Sequence, residues 1–103
     1  MAAMTPSFTA VYNSYRAAKA QFDLELFTLA QEGRDMDRDM EDILSNAHSE
    51  AMMALFMHPA ANVHELYRKL EVYNLEGVYD AFRDARIISA ALENDAGRLM
   101  HQP

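Results

Sequence analysis

The sequence predicts an all-α protein, a small bundle of four helices that pairs as a dimer, and three observations carry that expectation. Apolar residues recur at spacings of three and four along the whole chain, the signature of amphipathic helices. The composition favours Ala, Leu, Met, Glu and Arg, which lose little side-chain freedom in a helix. Only three glycines and three prolines interrupt the 103 residues, half of which are hydrophobic. That length suits one domain, and such a chain buries enough surface to need neither disulfides nor a structural metal.

The elements follow from their start and stop residues. The first helix, 5–32, is expected to open with Thr5 as N-cap and Pro6 at the first helical position, and to close at Gly33, which tolerates a left-handed C-cap. Phe8, Val11, Tyr12, Tyr15, Phe22, Leu26 and Leu29 give it a core face. A second helix, 35–57, begins in the acidic run Asp35, Asp37, Asp39, which suits the positive end of the helix dipole. Met40, Ile43, Ala47 and Ala54 form its expected stripe, and His58-Pro59 ends it. Asn62 then caps a third helix, 63–73, with Glu65 in capping-box position, an apolar face of Val63, Leu66, Tyr67 and Leu70, and Glu65 paired with Lys69 four residues on. A break at 74–77 precedes a fourth helix, 77–99, carrying Val78, Phe82, Ala85, Ile88, Leu92, Ala96 and Leu99 on one side.

Composition also excludes chemistries. Without cysteine there is no disulfide framework, thiolate zinc site, iron–sulfur cluster or cysteine nucleophile, and a reducing cytoplasm is the expected compartment. Sixteen acidic residues against nine scattered basic ones, a formal charge of −7, argue against direct nucleic-acid binding. No apolar run reaches the roughly 20 residues that a bilayer span needs. The amino-terminal residues have neither the basic start nor the apolar run of a secretory signal.

Histidines 48, 58 and 64 with Glu50 and Glu65 raise the question of a metal, but no Glu-x-x-His pair and no second His at zinc-protease spacing is present. His48 is expected on a solvated flank, His58 at a helix C-terminus and His64 in an exposed first turn. The run from Asp35 has carboxylates at calcium-loop positions one, three and five, yet Met40 replaces the required glycine and Asn46 the bidentate Glu. Its residues instead suit a helix start, with Arg34–Asp37 and Arg38–Glu41 or Asp42 as solvated pairs. No Gly-x-Ser-x-Gly turn or glycine-rich phosphate loop occurs. No cofactor and no enzymatic activity are expected.

What remains is a surplus of apolar surface. The first helix carries a second stripe, Ala10, Ala17, Ala20, Leu24 and Phe27, opposite its core face, and the second helix ends in Ala51-Met52-Met53-Ala54-Leu55-Phe56-Met57, apolar all the way round. Leu24, Phe27, Met52, Met53 and Phe56 are therefore the expected interface of a homodimer that also binds another protein. A rival reading is a small-molecule- or metal-binding bundle around His48, Glu50 and neighbouring tyrosines. A third is an acidic decoy of a nucleic-acid-binding surface.

Pro59-Ala60-Ala61-Asn62-Val63, followed by Leu66 and Lys69-Leu70, resembles a group of small helical proteins from alphaproteobacteria, some encoded in phage-like regions. Tyr15-Arg16-Ala17-Ala18 and the last helix with Asp95 and Leu99 extend the likeness. The group often has Thr in place of Asn62, and both residues cap helices. The resemblance implies an all-helical fold and carries no activity with it.

Overall fold

The computed structural model describes residues 6–101, apart from the side chain of Ala81. Four fifths of those residues are helical and none lies in a strand, so the chain is all-α. The helices are α1 (Phe8–Gln31), α2 (Arg38–Met57), α3 (Val63–Leu75), α4 (Val78–Ala81) and α5 (Ala85–Met100). They group into two compact units divided within α2, one reaching to Ala54 and the other starting at Leu55.

Local chemistry sets each boundary. The cap of α1 is Ser7, whose extended backbone lets Oγ accept the Ala10 N–H at 3.1 Å. Pro6 therefore precedes the cap rather than opening the helix, and Thr5, expected in that role, lies outside the described residues. At the other end, Gly33 takes the left-handed conformation (φ 66°), its N–H reaches the Ala30 carbonyl, and the Arg34 N–H reaches that of Leu29. This is a Schellman stop. Arg34 turns its guanidinium to Glu32 rather than into a pair with Asp37. The second helix begins three residues later than expected, because Asp37 acts as its cap: the carboxylate accepts from the Asp39 N–H at 2.9 Å and the carbonyl from the Glu41 N–H.

Asn62 caps α3 as expected, accepting from the Glu65 N–H at 2.9 Å. Glu65 reaches one residue past the cap, to the Ala61 N–H. Gly77 supplies the predicted break with φ 61°. The helix expected over 77–99 is interrupted again, because Phe82 is extended and Asp84 restarts the chain as α5. A straight helix at about 100° per residue would place Val78 roughly 80° around the axis from Ile88. With the extra bend, both are buried.

In the first unit the buried side chains include Phe8, Val11 and Tyr15 of α1 and Leu44 and Met52 of α2. His48 does not lie on a solvated flank: its ring sits 5.8 Å from that of Tyr15 and 6.3 Å from that of Phe22, joining α1 to α2. The second unit buries Leu55, Phe56, Ala60, Val72, Val78, Ile88 and Leu92, with Phe56 edge-on to Tyr73 at 6.5 Å. Two predicted core faces are turned outward. Met40, Ile43, Ala47 and Ala54 of α2 are exposed, as are Val63, Tyr67 and Leu70 of α3, whose fourth expected member Leu66 is half-buried, and Leu26 of α1 joins them. On α2 the residues one step around the helix, Leu44 and Leu55, take the interior instead, and on α3 Lys69 and Val72 of the opposite side do.

Two glycines test this account in opposite directions. Gly77 is held in the left-handed region, so Gly77→Ala should destabilise the protein by about 1 kcal/mol although a methyl group there meets nothing. Gly97 lies inside α5 with open space around it, so Gly97→Ala should stabilise by up to about 1 kcal/mol. Urea unfolding of the two variants beside the wild type reads both signs, and a neutral Gly77→Ala would contradict the turn geometry.

Candidate functional site

The densest polar cluster among the described residues lies in the second unit. Lys69, in the middle of α3, is 1% exposed, and its ammonium donates to the Phe56 carbonyl at 2.9 Å and to Asp95 Oδ2 at 2.6 Å. The other carboxylate oxygen of Asp95 accepts from the Ala60 N–H at 3.2 Å and from Arg98, one turn further along α5. Arg98 also donates to the Ala60 carbonyl at 2.7 Å. Both backbone groups of Ala60 are thus held by α5 side chains, while Lys69 holds the last turn of α2. Pro59 has to leave the helix, and this cluster fixes where the chain goes next.

A buried lysine beside a carboxylate invites a catalytic reading. The geometry argues for a clamp. Two of the three ammonium protons are committed, the carboxylate is engaged on both oxygens, and both side chains are buried. The Glu65–Lys69 pairing expected from helical spacing is replaced by these contacts, because a lysine rotated inward needs a buried counter-charge and Glu65 is engaged at Ala61. A signal did exist in the sequence. Asp95 stands in register with Ile88, Leu92 and Leu99, an acid within an otherwise apolar face.

Other chemistry-bearing residues stay apart. His58 Nδ1 lies 3.1 Å from the neighbouring Pro59 carbonyl, and His64 is exposed. Among the described residues no group of three His, Asp or Glu side chains is placed to hold a metal ion, and no helix is long and apolar enough to cross a membrane.

The five residues expected at an interface divide. Leu24 and Phe27 of α1 are exposed, at 64% and 63%, and Met53 is half-buried. Met52 and Phe56 are 1% and 0% exposed, so these two belong to the interior and leave no apolar area in water. Their burial comes from the inward rotation of α2 that leaves Ile43 64% exposed instead. The apolar surface at hand in the first unit therefore includes Leu24, Leu26 and Phe27 on α1 with Met40 and Ile43 on α2.

Lys69→Met removes one partner of a sealed pair and should cost about 3 kcal/mol in urea unfolding, since Arg98 remains to partner Asp95. Adding Asp95→Leu in that background should recover part of the loss. A Lys69→Met variant within about 1 kcal/mol of wild type would show that the clamp contributes little.

Comparison with known protein families, with characterised proteins and with solved structures found no match to this chain.

Proposed function

We propose that this chain is a non-enzymatic helical interaction protein that forms a homodimer through the outer face of α1 and binds another protein through its remaining apolar surface. The observation that carries this reading is the exposure of Leu24 and Phe27 on a helix face without charge. Covering a large apolar side chain gains roughly 1.5–3 kcal/mol, and the two lie one turn apart, so a partner covers both at once. The negative charge of seven per chain does not forbid pairing, because ionic screening limits repulsion to about 8 Å at physiological salt. In the second unit, Val63, Tyr67 and Leu70 offer a separate apolar face for a different protein. A cysteine-free, membrane-independent chain of this kind suits the cytoplasm.

Light scattering on the wild type at tens of micromolar should give twice the chain mass of 11.7 kDa. A Leu24→Glu, Phe27→Glu double variant should keep its helical circular dichroism and run as a monomer. A monomeric wild type, or a folded variant that keeps the dimeric mass, would overturn the assignment.

A further inference from the structure

The outer face of α1 has a finer pattern than two exposed side chains. Ala10, Ala17 and Leu24 recur every seven residues, and Asn13, Ala20 and Phe27 interleave with them at the intervening spacings of three and four. All six are exposed. This is the spacing of a coiled-coil seam, with Ala10, Ala17 and Leu24 at the first core position of each heptad and the other three at the fourth. The face that packs in the chain's own first unit, with Phe8, Val11 and Tyr15, lies on the other side of the helix.

We infer that the occupant of this seam is α1 of a second copy of the chain, running antiparallel, with Arg16 of each copy paired to the partner's Asp23. The inference rests on the self-association proposed above and specifies its geometry. Two independent features select the antiparallel direction. The first is charge. Arg16 and Asp23 occupy the same flanking heptad position, seven residues apart, with opposite sign, and both are exposed. Within the chain, Arg16 lies over the Tyr12 ring at 5.8 Å and Asp23 is 3.4 Å from Lys19, contacts typical of a solvated surface. Flanking residues of this type face their own kind across an antiparallel pair, so Arg16 meets the partner's Asp23 twice by symmetry. In a parallel, in-register pair they face the partner's uncharged Gln21 and Thr28 instead.

The second feature is size. Antiparallel pairing sets Ala17 against the partner's Ala20, Asn13 against the partner's Leu24 and Ala10 against the partner's Phe27, so a large side chain always meets a smaller one. The alanine pair at the centre lets the axes approach to the short end of the usual 8–10 Å range. A parallel pair stacks Phe27 on Phe27 and Leu24 on Leu24 at one end, with alanine on alanine at the other, and splays the helices.

Charge reversal separates these arrangements. In Arg16→Glu both inter-copy pairs become repulsive, and in Asp23→Arg likewise, so each variant alone should dimerise about tenfold more weakly than the wild type. Mixed in equal amounts, the two variants should form a heterodimer of wild-type strength. The substituted position 16 of one copy then faces the substituted position 23 of the other with opposite charge, while the native pair is kept on the second side. Native mass spectrometry of the mixture, with one variant isotopically labelled and circular dichroism to confirm folding, reads this directly. A mixture no better than either variant alone, or variants that dimerise like the wild type, would overturn the antiparallel pairing while leaving self-association intact. A wild type that stays monomeric would overturn self-association itself and the pairing with it.

Discussion

Burying the Lys69 ammonium constrains the second unit more than any apolar contact in it. A charge taken out of water has to meet its counter-charge, and Asp95 lies 26 residues away on another helix. That requirement fixes the rotation of α3. With Lys69 and Val72 turned inward, Val63, Tyr67 and Leu70 stand on the opposite side of a helix with 3.6 residues per turn, in water. The same cluster grips Ala60 at its N–H and carbonyl, so the path after Pro59, the start of α3 at Asn62 and the packing of α3 on α5 depend on one polar centre.

An apolar surface is then a consequence of the fold and not a packing failure. The first unit repeats the theme without a buried charge. There α1 turns Phe8, Val11 and Tyr15 inward, α2 turns Leu44 and Met52 inward, and the remaining apolar residues form ordered outer stripes at heptad spacing. On α1 that stripe is bordered by Arg16 and Asp23, whose signs complement those of a reversed copy. Shape, charge and exposure all favour a second copy as its cover.

The sequence made the punctuation of this chain legible and hid the rotation of its helices. Asn62, Gly33, Gly77 and Pro59 act through bonds to residues within a turn or two, so their roles are readable from local spacing. Even there α1 opens with Ser7 as its cap, after the expected Pro6, and α2 opens three residues later than expected with Asp37 as its cap, since the side chain that reaches the orphan N–H groups sets the boundary. Which face of a helix is buried is a long-range question. The end of α2 is apolar on every side, so turning Ala54 inward or turning Met52 and Phe56 inward suits the pattern equally well, and tertiary packing selects the latter. The partner of Lys69 is hidden for the same reason, because Glu65 stands at pairing distance along the helix while Asp95 is 26 residues away. Leu24 and Phe27 were legible as surplus because the opposite face of α1 already had its core set.

The apolar face left outside by intrachain packing has a second copy of the chain as its proposed cover. Thermal unfolding followed by circular dichroism over a hundredfold range of chain concentration tests it most directly, since only a self-associating protein gains stability by mass action. With a second copy as the cover, the wild-type midpoint rises steadily with concentration. A wild-type midpoint independent of concentration across that range would contradict it.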